Sequence, residues 1–148
     1  MSSAQFDVAG ALLDELTAQP PIADGRVYRT RTRAIGVDQP SAVVVRIERS
    51  TSTLASVLGG PTTWATLIQV ECYARASGSE PDAVADALVV AVFDRLAQAP
   101  TLSGRVMSFE PMPGDTLSWD VDELDTKLTC ITAKFLVMHK TKGRSLTQ

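Results

Sequence analysis

Between Thr63 and Arg75 the chain alternates with a period of two. Trp64, Ile68, Val70 and Cys72 fall on one face, and Gln69, Glu71 and Arg75 on the other. This is the pattern of a strand with one buried face and one face open to water or to a partner. Such a strand needs neighbours to pair with and an apolar layer to lie on, and the rest of the chain must supply both.

Ala4 to Ala18 is predicted to be a helix, with Phe6, Ala9, Leu12, Leu13 and Leu16 recurring at three and four residues until Pro20-Pro21 stops it. Arg26 to Arg33 reads as a short strand, and the β-branched run Ala42 to Arg49 as another. Ser79-Glu80-Pro81-Asp82 starts a second helix, with Ser79 as its N-cap. That helix runs to about Gln98, with Val84, Leu88, Val92 and Leu96 as its buried stripe and Val89 and Phe93 beside it. Arg105 to Glu110 is a short strand, and Pro111 to Asp125 an acidic connection. Thr126 to Lys140 is the last strand, apolar on both faces and therefore covered on both: by helices on one side, with a neighbouring subunit as one candidate for the other.

The order α-β-β-β-α-β-β describes one α+β domain over residues 1–148, a largely antiparallel sheet of about five strands with two helices on one face. Two features stand outside that frame. Residues 50–62 exceed the ~2–5 residues of an ordinary hairpin connection and read as a functional arm. Residues 141–148 read as a flexible basic tail.

With 148 residues, 45% of them hydrophobic, the chain can build a core without metal or disulfide. Its net charge of -3 argues against generic binding to nucleic acid or to an anionic membrane. The longest apolar run, Ala87 to Phe93, falls short of the ~18 residues of a membrane span, and residues 1–19 lack the basic start of a signal peptide. The chain is expected in a cytoplasm, or outside it only within an assembly.

The chemistry-bearing residues are few. His139 is the single histidine, and the odd spacing between it and Cys130 puts the two on opposite strand faces. Cys72 shares a face with Ile68 and Val70 and reads as a small buried hydrophobe. Asp120 to Asp125 departs from a calcium loop, with Leu124 at a ligand position and Ile131 at the twelfth. Phosphate-binding glycine motifs are missing too. No catalytic residue, cofactor or metal is expected.

Charge is laid out in blocks. Six arginines (26, 29, 31, 33, 46 and 49) lie between Arg26 and Arg49, against Asp38 and Glu48. Six acids (110, 115, 120, 122, 123 and 125) lie between Glu110 and Asp125 without a base. Lys140, Lys142 and Arg144 follow. Arg29, Arg31 and Arg33 share one strand face. They read as a charged edge against aggregation, as a nucleic-acid contact, or as one half of a head-to-tail subunit interface.

In this arrangement the chain resembles the tail terminator, or tail completion, proteins of long-tailed bacteriophages of the lambda type. The likeness rests on the N-terminal helix ending in PP, then RVYRTRTR, AVVVRIER, TLIQVECYAR, SEPDAVADALVVAVFDRL, WDVDELDTKLTCITAKFLVMHKT and the end GRSLTQ. It spans roughly residues 4–146. The resemblance implies a hexameric ring that caps the head-proximal end of the tail tube and stops its polymerisation. The other face of such a ring meets the head connector or neck protein, and DNA passes through without specific binding. The implied places are the host cytoplasm during assembly and then the virion tail.

Carried to the residues, the resemblance assigns Leu54, Val57 and Leu58 of the arm to a contact with the tube or the next subunit. It pairs Arg29, Arg31 and Arg33 with Asp120, Asp122, Glu123 and Asp125 of a neighbour, and sets Asp115 toward the lumen. A head–tail connector is the alternative within the class. A monomeric ligand-binding or hydrolytic domain using His139 and a carboxylate is the alternative outside it.

Overall fold

Strands β3 (Thr62–Arg75) and β6 (Leu128–Thr141) run antiparallel in unbroken register from Thr62 opposite Thr141 to Arg75 opposite Leu128. This ladder is the spine on which the other elements are hung. The computed structural model describes residues 2–29, 39–53, 57–75, 80–121 and 128–148.

On one side of the spine, β2 (Ser41–Thr53) pairs antiparallel with β3, and β1 (Val27–Arg29) pairs parallel with β2. On the other side, β4 (Ser108–Pro111) and β5 (Leu117–Val121) lie end to end along the outer edge of β6. Residues 112–116 leave that edge between them. Their departure leaves no backbone group of Lys134 orphaned, because Met112 N–H donates to its carbonyl and its own N–H donates to Thr116, both at 2.9 Å.

Among the described residues the sheet thus has six strands, one more than expected, and it is mixed because of the β1–β2 pair. The additional strand is β5, which falls in the stretch read as an acidic connection. Acidity misleads there because an edge strand keeps its outer side chains in water. Leu117 and Trp119 alternate with Ser118 and Asp120, as a strand requires.

Helices α1 (Ala4–Thr17) and α2 (Pro81–Ala97) cover one face of the sheet, α1 over β1 and β2, α2 over β3 and β6. Ser3 caps α1 by accepting the Phe6 N–H at 3.2 Å. At its other end the Arg95 guanidinium of α2 donates to the carbonyls of Glu15 (2.9 Å), Ala18 (2.7 Å) and Pro20, which would otherwise be left open. One side chain therefore closes α1 and fastens the two helices.

The start of α2 differs from expectation. Its N-cap is Glu80, whose side chain makes no capping bond, while Ser79 lies outside the described residues. Its buried stripe is Ala85, Val89, Val92 and Leu96: Val92 and Leu96 are as expected, while Ala85 and Val89 replace Val84, which is 37% exposed, and Leu88. The helix is apolar around most of its circumference, so periodicity alone fits either stripe. Ala85 is fully buried in the core on the side facing the sheet.

Beneath α2, Phe135 of β6 lies between Phe93 (5.0 Å between ring centroids) and Phe109 of β4 (4.9 Å, stacked). These rings join Ile68, Val70, Ile131 and Val137 in a single core with Leu12 and Leu16 of α1. Phe6, expected on the buried stripe of α1, is 49% exposed instead.

The β2–β3 ladder continues to Thr53 opposite Thr63, so the Ser/Thr-rich residues 50–53 are strand and the described part of the tip is 57–61. Alternating β-branched threonines favour this extension. The C-terminal residues fold back on the body. Ser145 N–H donates to Lys142 O at 2.9 Å, and Leu146 O accepts the N–H of Ala4 at 2.7 Å.

Candidate assembly surfaces

Residues paired across strands share a face, so the register sorts every strand side chain by side. Val43, Val45, Ile68, Val70, Ile131, Phe135 and His139 face the helices. Arg46, Glu48, Gln69, Glu71, Tyr73, Cys130 and Lys134 face away from them.

The far face is apolar at its floor, with Val44 and Leu67 buried, and is crossed by two polar chains. In one, Arg46 pairs with Glu71, which also accepts the Tyr73 hydroxyl proton at 2.8 Å. In the other, Lys134 Nζ reaches Asp115 at 3.0 Å and Glu48 at 3.9 Å, and Gln69 Nε2 donates to Glu48 at 3.0 Å. The hydrogen bond to Asp115 leads the influences that raise the Lys134 pKa above the ordinary lysine value. Asp115, the candidate lumen residue, is therefore exposed on the far side and engaged with its own sheet.

Arg29 lies on the helix side. Its guanidinium carbon sits 3.7 Å from the centroid of the Phe6 ring, and Nη1 donates to the Phe6 carbonyl at 3.4 Å. Asp120 is on the opposite face of the sheet and at its other end, opposite Cys130. The two are not brought together within one chain. Arg31, Arg33, Asp122, Glu123 and Asp125 lie outside the described residues, as does Leu54.

At the hairpin tip Val57 is 68% and Leu58 95% exposed. The turn is made by Gly59, whose φ of 78° suits glycine alone, and by Gly60 N–H donating to Val57 O at 2.9 Å. Arg144 and Thr62 line the cleft beside the tip.

Sequence reasoning passed over one exposed pair. Leu117 and Trp119 project from β5 on the helix side, with Trp119 58% exposed. The available signal was an aromatic residue inside an otherwise acidic stretch.

The interior polar groups are held by the fold, although His139 Nδ1 is buried without a hydrogen-bond partner among the described residues. His139 is 1% exposed, with Nε2 2.6 Å from Thr66 Oγ1, and burial lowers its pKa below the ordinary histidine value. Burial also leads the influences that push the Cys72 thiol up to about 12 and Cys130 up to about 11. Among the described residues no group of three or more His, Cys, Asp or Glu side chains is placed to hold a metal ion. Among the same residues no helix is long and apolar enough to cross a membrane.

No protein-family model matches the chain, and no curated protein matches it. Among solved structures the fold is similar to a chain from the virion of a native gene transfer agent (GTA) particle, with a TM-score of 0.63 at 17% sequence identity. The likeness covers 90% of this chain and 95% of that one. Two helices on a mixed sheet, in one α+β domain, is thus a fold also found in that virion chain.

Proposed function

We propose that this chain is a structural subunit of a phage-like particle, and that it acts as a tail terminator. Copies close into a ring, expected to be hexameric, on the head-proximal end of the tail tube. One surface of the ring stops tube growth and another receives the head connector. The observation that carries the reading is the likeness along almost the whole of both chains to a virion component. Residues 54–61 then serve as the tube-contacting arm through Val57 and Leu58, with Leu54 assigned to the same role. Arginine and acid blocks on separated segments suit a heterologous interface that closes head to tail.

This work needs no catalysis. The hydrolytic alternative requires His139 to meet a substrate, whereas its ring is enclosed in the core against Thr66. Negative-stain imaging of the purified chain mixed with cognate tail tubes tests the reading. Rings seated on one end of the tubes are the expected outcome. Rings that ignore tubes and bind the head-side connector instead would make the chain a neck protein.

A further inference from the structure

Among the described residues the sheet ends in strands whose outer backbone edges no other strand pairs: β4 and β5 at one end and β1 at the other. Strands β2, β3, β6 and β5 alternate in direction and β1 runs with β2, so β1 and β5 are antiparallel to each other. A second copy, related by rotation about an axis along the strands, presents its β1 to this β5 as an antiparallel neighbour. The same operation repeated closes a ring.

Side chains on the two edges fit that placement. On the helix side β5 presents Leu117 and Trp119, respectively 36% and 58% exposed. On the helix side β1 presents Arg29, lying on the half-exposed ring of Phe6. A guanidinium with one aromatic face beneath it offers its other face to an indole, and Trp is the strongest aromatic partner for a cation. Gly10 keeps that arrangement open, because a Cβ there would stand 3.0 Å from Arg29 Nη2. Period two then carries Asp120 to the far side, beside Tyr28 of the neighbouring copy, which leaves Arg29 and Trp119 together on the helix side.

We infer that β5 of one copy docks on β1 of a second copy of this chain, with Trp119 closing over the Arg29–Phe6 pair of that copy. The inference rests on the ring reading and deepens it: the intersubunit partner of Arg29 is the Trp119 indole, across the sheet from Asp120. An exposed Trp beside an open strand edge is a liability in a lone domain and a means of recognition in a ring.

The test uses the full chain with cognate tail tubes, comparing wild type with Trp119→Ala and Trp119→Phe by counting rings at tube ends. Trp119→Ala is expected to lower ring occupancy by about tenfold or more and Trp119→Phe to keep it within about twofold, with unchanged thermal midpoints. Rings as abundant in Trp119→Ala as in wild type would overturn the docking and leave the ring reading standing. Trp119→Ala rings that form in solution but fail to stay on tubes would also overturn it, by giving Trp119 to the tube. Absence of rings with the wild-type chain would overturn both.

Discussion

Thr66 Oγ1 and His139 Nε2 lie 2.6 Å apart on the helix side toward the hairpin end of the ladder, tying β3 to β6 by a bond between side chains. The contact continues outward. Thr66 also meets Ser50 Oγ of β2 at 2.7 Å, and Ser50 accepts from Gln5 Nε2 of α1 at 3.3 Å. Four elements are thus held together by a polar string where the base of the hairpin arm leaves the body.

This string makes stability depend on pH through His139. Burial keeps the folded imidazole neutral by lowering its pKa, while the unfolded chain takes up a proton near ~6.5. Below that pH the unfolded state binds more protons, so stability falls as pH falls, by at most about 1.4 kcal/mol per pH unit from this group. Above about pH 7 its contribution is level. His139→Gln is expected to flatten the slope between about pH 6.5 and pH 5 in urea unfolding. An unchanged slope in the variant would contradict the assignment.

The ring contacts of Phe135 make its truncation costly. It is 1% exposed and touches both Phe93 and Phe109. Phe135→Ala is expected to lower the unfolding free energy by about 3–5 kcal/mol, because α2 and β4 cannot both collapse onto the space it leaves. Chemical denaturation of the two proteins measures the difference.

Cys72 and Cys130 are free and buried, and burial keeps both thiols protonated well above neutral pH. In the native protein at about pH 8 neither is expected to react with a thiol reagent within minutes, and both are expected to react in denaturant. Rapid labelling of Cys130 in the native state would mean that the far face opens there.

Gly10→Ala is expected to separate stability from the proposed assembly. Alanine is the better helix former by about 0.8–1.0 kcal/mol, so Gly10→Ala is expected to hold or raise the melting temperature of the chain. Its Cβ would stand 3.0 Å from Arg29 Nη2, so the guanidinium must give by a few tenths of an ångström over the Phe6 ring. Ring formation should therefore weaken while the subunit does not, as light scattering and calorimetry on the same samples can show.

Much of the fold is legible in the sequence because its strongest signals are periodic. The alternation in β3 assigns Ile68 and Val70 to one side and Gln69 and Glu71 to the other, as the register bears out. The spacing of Cys130 and His139 correctly sets them on opposite faces. What the sequence hides has physical causes. In α2, apolar residues on nearly every side make the stripe through Val84 as plausible as the true one through Ala85. In β5, Asp120 faces away from the helices, as Glu71 does in β3, so its charge masks a strand without breaking one.

The candidate interface shows the same limit. Sequence parity places Arg29, Arg31 and Arg33 on one face of a strand, but it does not say which face of the sheet that is. Register places Arg29 on the helix side and Asp120 on the far side. That relation depends on pairing across the whole sheet and has no local trace. The exposed tip residues Val57 and Leu58 were legible, as apolar side chains in a polar loop.

Tube growth tests the central claim most directly. Cognate tube protein is polymerised, the chain is added, and fresh tube protein follows, with tube lengths measured by electron microscopy. With the wild-type chain, tubes are expected to stop at the length reached at addition. With Leu58→Asp, which alters an exposed tip and should change stability by less than about 0.5 kcal/mol, growth is expected to resume. Tubes that lengthen equally with and without the wild-type chain would contradict a terminator.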